Sequence, residues 1–246
     1  MTFLYNGPAY TISNENQRWA TQVVSDVKKV LTVAGSGDQA LFYKLSGATI
    51  IDTFDITCNA RAIQDIKCVA IKNLTHAEYQ DLLIKLHRER NDVTLLPEIQ
   101  LLWQFLPSET QEIIEINKSK GMFSFGIEAN FYPENIPTEA EYTKLKSILG
   151  EPFNFIWNDL ESMSINLTEK YDLINLSNIF DYIYSISGQL MILNNLSKNL
   201  NKNGHIICLP QEKRYSYKTV CLPRLSYERT EKDGHHTKAV IFQRTR

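Results

Sequence analysis

Cysteine is scarce in this chain, and so is any excess of charge of one sign. The four cysteines (Cys58, Cys68, Cys208, Cys221) among 246 residues form no C-x-x-C pair. That spacing argues against a thiolate zinc cluster, and the small number against a disulfide framework. They read as reduced, buried thiols of a cytoplasmic protein. The five histidines fall in no H-E-x-x-H or H-x-x-E-H array, so no metal site is expected. Lys plus Arg is 26 against 28 for Asp plus Glu, a net charge of −2. Without a surplus of cations to neutralise phosphates, nucleic acid is not the expected partner. No apolar run approaches the roughly 20 residues of a membrane-spanning helix. Met1 to Asn6 lacks the basic-then-apolar pattern of a secretory leader.

What is present is an ordinary globular composition, 43% hydrophobic and 22% charged. The length fits one α/β domain spanning 1–246, with room for an insertion. Ser13 is placed to cap a helix running to about Val27. Val30 to Ala34 is a short apolar, β-branched run that ends in Gly35-Ser36-Gly37. A helical pattern follows from Asp38 to Leu45, and Gly47 stops it. Ala48 to Phe54 reads as a second strand closing on Asp55. A helix over about 60–72 then presents Ala62, Ile63, Ile66, Val69 and Ala70 on one face. Strand–helix–strand–helix calls for a parallel sheet covered on both faces.

Residues 74 to about 120 carry helix signals and no clear strand. Thr75-x-x-Glu78 spells a capping box. Tyr79, Leu82, Leu83 and Leu86 recur at helical spacing, as do Ile99, Leu102, Trp103 and Leu106 before Pro107. Ser108 is placed to cap the next helix. Segment 74–137 therefore reads as a helical insertion between the second and third strands, its end (121–137) aromatic and loop-like. Thr138-x-x-Glu141 spells a second capping box. Phe153–Trp157 and Tyr171–Leu176 are the third and fourth strands. A helix over about 188–200 ends at Asn203-Gly204, and His205–Leu209 is the fifth strand. Leu225–Glu231 and Thr237–Gln243 flank Asp233-Gly234 as a terminal hairpin.

The chemistry sits in the glycine loop. Gly35-x-Gly37-x-x-Ala40 follows a strand and opens a helix, and Asp55 lies 20 residues after Gly35. Glycine permits the tight turn and a close ligand approach, while a helix N-terminus offers N–H groups to an anion. A carboxylate at the end of the next strand can accept from both ribose hydroxyls. Asp52 falls inside that strand, which leaves Asp55 as the better candidate. The terminal hairpin replaces the second mononucleotide-binding half of an NAD site, and no P-loop spelling occurs. Five parallel strands and a hairpin resemble the Rossmann-like class I S-adenosylmethionine-dependent methyltransferase plan. On that plan the loop faces the amino-acid end of the cofactor, and Asp159, closing strand three, accepts from adenine.

The block Val30-Leu31-Thr32-Val33-Ala34-Gly35-Ser36-Gly37-Asp38-Gln39-Ala40-Leu41 resembles the betaine-lipid synthase family. These are S-adenosylmethionine:diacylglycerol 3-amino-3-carboxypropyl transferases. The likeness continues through Asp55, Asn59-Ala60, Lys67 to Lys72 and Leu74 to Tyr79. It returns at Leu173 to Tyr182. Asn14-Glu15-Asn16 stands where that family has a Trp-Glu-Asp-like element. The resemblance implies S-adenosylmethionine as cofactor and a small-molecule or lipid-like acceptor, with methylthioadenosine released. Methyl transfer, or cofactor binding without turnover, are the alternative readings. The expected cofactor contacts are Gly35, Ser36, Gly37, Asp38, Gln39, Asp55, Asp159 and Asn178. Asp181, Tyr182, Glu15 and His205 are the candidate bases. Residues 1–27 would form a helical lid, and with the insertion would shape the acceptor pocket. Tyr79, Trp103, Phe105 and Phe123 are its aromatic candidates, each also able to serve as core. Removing residues 1–18 should abolish turnover while leaving the sheet folded by circular dichroism; an unchanged rate would refute the lid.

Overall fold

A computed structural model describes residues 7, 9–88, 92–118, 123–124, 133–210, 221–233 and 238–245. The core is one eight-stranded sheet. Its strands are β1 (Lys29–Val33), β2 (Ile50–Asp55), β3 (Asn154–Trp157), β4 (Tyr171–Asn175), β5 (Leu200–Cys208), β6 (Cys221–Leu222), β7 (Leu225–Lys232) and β8 (Lys238–Arg244). They lie in the order β3-β2-β1-β4-β5-β8-β7-β6. The first five are parallel, and β8 runs antiparallel between β5 and β7. This is the expected α/β, Rossmann-like, mostly parallel sheet, and the terminal hairpin is its antiparallel edge. The chain order reverses direction between β1 and β4, which opens a crevice at the strands' carboxyl ends.

The helices are α1 (Gln17–Ala20), α2 (Asp38–Leu45), α3 (Cys58–Asn73), α4 (His76–Arg88), α5 (Pro97–Leu102), α6 (Ser108–Asn117), α7 (Glu139–Ile148), α8 (Leu160–Asn166) and α9 (Ile186–Ser197). Both capping boxes form. Thr75 N–H donates to Glu78 at 2.7 Å, and Thr138 N–H donates to Glu141 at 2.8 Å. The apolar face of α3 is buried as its spacing predicts. Its other faces are buried too, because α4, α5, α6 and α7 pack around it. Asp65 and Lys67 are therefore interior, and each has a partner. Asp65 accepts from Thr110 and pairs with Arg61, while Lys67 pairs with Asp38. Among the described residues no helix is long and apolar enough to cross a membrane.

Three expectations change. The helix over 13–27 shrinks to α1, capped by Asn16 rather than Ser13. The chain beyond it turns at Asp26, whose φ is +60°. Asn203-Gly204 does not end a helix, since β5 already begins at Leu200 and carries a register shift against β4. A Cβ at Gly204 would stand 3.0–3.1 Å from three backbone carbonyl oxygens, so glycine is needed for close approach there. α6 is capped at Pro107, one residue earlier than expected. Of the four thiols, Cys58, Cys68 and Cys208 are buried and in no disulfide.

Gly37 has φ +82°, and a Cβ there would meet the Gln64 backbone at 3.0 Å. Gly37→Ala should therefore cost about 1–3 kcal/mol in urea unfolding. Gly150→Ala, with open space around it, should be nearly neutral. Equal effects would contradict the packing argument.

Candidate functional site

A cavity of about 520 Å³ occupies the crevice at the carboxyl ends of β1, β2, β3 and β4. Its size and mainly apolar lining suit a small-molecule site. Gly35 and Ser36 come from the turn after β1, Asp55 from the end of β2, Asp159 from the start of α8, and Ser177 and Asn178 from the turn after β4. Glu15 closes the cavity from the N-terminal segment. Glu15, Asp55 and Asp159 are lining acids; no Lys, Arg or His lines the cavity among the described residues.

Asp55 is held by the loop it faces. Gly35 N–H donates to its Oδ2 at 2.9 Å and Thr57 N–H to its Oδ1 at 3.1 Å. Burial raises its pKa, and the N–H groups of Thr57, Gly35 and Ile56 oppose that rise. A carboxylate offers about four acceptor sites, so with these N–H groups in place the fixed group can still accept from a ligand hydroxyl. Asp52, by contrast, is committed inside β2, where it accepts from Tyr171 Oη at 2.7 Å and Asn154 Nδ2 at 3.0 Å.

The glycine loop differs from its expected role. Gly35 N–H is spent on Asp55, and Gly37 N–H donates to Ala34 O at 2.6 Å. Those two amides therefore shape the turn and do not stand free for an anion. Gly35, at φ +49°, has nothing within 4 Å of where a Cβ would be, and it lines the cavity. Gly37 does not line it and packs on α3 instead. Asp38 is not a lining residue either. It is fully committed, pairing through Oδ1 with Lys67 and accepting through Oδ2 from Ser13 N–H and Ser36 Oγ, both at 2.8 Å.

Glu15 is 3% exposed. Its Oε2 accepts from Ser177 Oγ at 2.6 Å, Gln17 Nε2 at 2.9 Å and Gln39 Nε2 at 3.4 Å. Its Oε1 is buried with no partner. Burial pushes the Glu15 pKa up to about 7; the hydrogen bonds from Ser177, Gln17 and Gln39 lower it, and the negative charge of Asp181 adds to the rise. Gln39 also bonds Thr32, while Asn175 accepts from Ser177 N–H and donates to Tyr43 Oη at 2.9 Å. The carboxyl thus sits on a connected polar floor between β1 and β4.

Asp159 spends Oδ1 on the α8 N-terminus, accepting from Ser162 N–H at 2.8 Å. Tyr182 lines the cavity while remaining 66% exposed. Asp181 does not line it. His205 lies on β5 beside Glu228, 3.2 Å away, and does not line the cavity. The insertion shapes the site differently from expectation. Tyr79 is buried core, Phe105 is half exposed, and no described residue of 74–137 lines the cavity. The side chain of Phe123 lies outside the described residues.

The end of the insertion and the helix after it, α7, instead fasten the wall. Asn135 Nδ2 donates to Ser13 O at 3.1 Å and Glu15 O at 2.6 Å, and its Oδ1 accepts from Gln17 N–H at 2.9 Å. Arg18 pairs with Glu141 and donates to Glu134 O at 3.0 and 3.2 Å. Asn135 carries no motif that marks it, and the block that includes Lys67 gives that residue no role. Only burial and partners reveal their roles.

No family model matches this chain, and no curated protein matches it. Solved structures resemble it in chain path. The N-methyltransferase NodS from Bradyrhizobium japonicum WM9, solved with S-adenosyl-L-homocysteine, is 8% identical over 94% of this chain and 84% of that one, with a TM-score of 0.45. A ribosomal protein L11 methylase from Lactobacillus delbrueckii subsp. bulgaricus is 11% identical over 94% and 78%, at 0.43. An rRNA methylase from Streptococcus thermophilus is 7% identical over 94% of each chain, at 0.41. At such identities the likeness is one of fold alone.

The pKa of Glu15 sets a pH test. Its folded value of about 7 lies above the ordinary 4.5. The carboxyl therefore favours the folded state fully below pH 4.5 and loses about 3 kcal/mol of that advantage as pH rises through 7. Glu15→Gln has no such loss. In urea unfolding at pH 5 and pH 8, the variant should gain on wild type by about that amount at the higher pH. A pH-independent difference would exclude a buried, titrating Glu15.

Proposed function

We propose that this chain is an S-adenosylmethionine-dependent transferase whose cofactor occupies the cavity at the ends of β1, β2, β3 and β4. The observation that carries this reading is the position of Asp55. It ends β2, is held by the amide of Gly35, and keeps lone pairs for a ribose diol beside a glycine with no Cβ. The residues fit the group in further respects. Asp159 has an oxygen left to accept from an adenine amine. Gly35 permits close approach of a ligand to the backbone. Asn178 and Ser36 supply polar edges, and the apolar walls of Val33, Phe54 and Leu160 suit a purine and a thioether chain.

When bound, the cofactor would supply an electrophilic carbon next to its sulfonium. The chain's own contribution is orientation and exclusion of water, worth on the order of 7–11 kcal/mol when the geometry is right. The N-terminal wall from Ala9 to Glu15 performs the exclusion, and Tyr182 stands at the mouth where an acceptor would enter. An amine or thiol acceptor requires no general base. A hydroxyl acceptor would draw on one, and Tyr182 is the candidate that stands nearest solvent; burial raises its pKa.

Two transfers use the same residues. The glycine-block resemblance favours the 3-amino-3-carboxypropyl group and a small-molecule or lipid-like acceptor. The strand order, which is the methyltransferase plan, favours methyl transfer. The pure protein, incubated with S-adenosylmethionine and amine, thiol or hydroxyl acceptors, should release one nucleoside identifiable by mass spectrometry. Methylthioadenosine would establish the first transfer and S-adenosylhomocysteine the second. Asp55→Ala should weaken S-adenosylmethionine binding by about ten- to a hundredfold in calorimetry. Absence of both product and binding would refute the proposal.

A further inference from the structure

Glu15 presents a chemical imbalance that the described residues do not resolve. One carboxylate oxygen accepts three hydrogen bonds, while the other, buried, accepts none. A buried acceptor left bare costs on the order of 1–3 kcal/mol, and more when charged. The usual remedy is a cation alongside, yet no cationic side chain lines this cavity among the described residues. Lys67 is taken by Asp38 and Arg18 by Glu141. The charged neighbour that does act on Glu15 is Asp181, and it is of the same sign. Among the described residues, then, no positive charge meets the bare oxygen of Glu15.

Resting on the cofactor reading above, we infer that Glu15 receives the α-ammonium of the bound sulfonium amino acid through Oε1. It acts as a counter-ion and not as a base. The position suits that task. Glu15 is bonded to Ser177 after β4 and to Gln39 at the start of α2, on the side of the glycine loop away from β2 and Asp55. A ribose held at Asp55 therefore leaves the amino-acid tail pointing along the crevice toward β4. The carboxyl is also fixed before any ligand arrives. Glu15 N–H donates to Ser13 Oγ at 3.2 Å, and Glu15 O accepts from Asn135 at 2.6 Å. Preorganisation of this kind reduces the entropy lost on binding. The three acids Glu15, Asp55 and Asp159, with no lining cation, make the cavity selective for positively charged ligands.

The test compares two ligands by calorimetry on the full chain: S-adenosylhomocysteine and its analogue with hydrogen in place of the α-ammonium. Wild type should bind the deaminated analogue at least about tenfold more weakly. Glu15→Gln should bring the two within about threefold, mainly by weakening S-adenosylhomocysteine. Methylthioadenosine, which lacks the amino acid, should bind both proteins alike. Equal affinity of wild type for the two main ligands overturns the assignment, as does a ratio that survives in Glu15→Gln. If Glu15→Gln shows no melting transition, the wild-type ratio alone decides. Failure of all three ligands to bind would instead refute the cofactor reading itself. Binding of methylthioadenosine with no gain from the amino acid refutes only the role of Glu15.

Discussion

Asp38 is the junction on which the site depends. Its buried carboxylate meets the Lys67 ammonium from α3, the Ser36 hydroxyl from the glycine loop and the Ser13 amide from the N-terminal wall. Three segments distant in sequence are thereby fixed to one side chain. A buried ion pair is expensive to desolvate, and an apolar replacement of both partners is often no less stable. What an apolar pair lacks is direction: it cannot hold an amide, a hydroxyl and an ammonium at set angles. The geometry of the cavity, in which the wall faces the loop, follows from that directionality.

The same economy of polar groups explains the loop. Its glycines serve conformation first, with Gly35 opening space at the cavity and Gly37 letting the turn pack against α3. The amides that a glycine-loop spelling advertises are consumed by Asp55 and Ala34. On the proposed reading, recognition falls to side chains that ring the crevice, among them the acids Glu15, Asp55 and Asp159. A negatively lined cavity with an apolar wall suits a ligand that carries positive charge beside a flat ring, as the sulfonium, α-ammonium and adenine of the proposed cofactor do.

The helices between β2 and β3 act at one remove from the chemistry. They enclose α3 on the side away from the sheet, which is why that helix carries buried Asp65 and Lys67. They also supply Asn135, Glu134 and Glu141 to hold the backbone and side chains from Ser13 to Arg18. The insertion thus builds the wall without lining the cavity. A short α1 is consistent with this. Ser13, Glu15 and Gln17 point polar groups inward, where an amphipathic helix through 27 would have separated them from their partners.

Local signals in the sequence determined much of the frame. Alternating strands and helices, two capping boxes, the apolar face of α3, the terminal hairpin and the pairing of a glycine loop with Asp55 are short-range patterns. Each is written within about twenty residues, because backbone conformation and helix faces are set locally. Tertiary structure decided the rest. Gly37, Asp38 and His205 were removed from the cavity lining by packing partners 23 or more residues away: Gln64, Lys67 and Glu228. Glu15, Ser177 and Gln39 became one polar cluster only because β4 lies beside β1, a neighbour relation that no local pattern encodes. Burial and hydrogen-bond partnership are properties of the folded whole, and they distinguish a carboxylate with both oxygens bonded, as in Asp38, from one with a bare oxygen, as in Glu15.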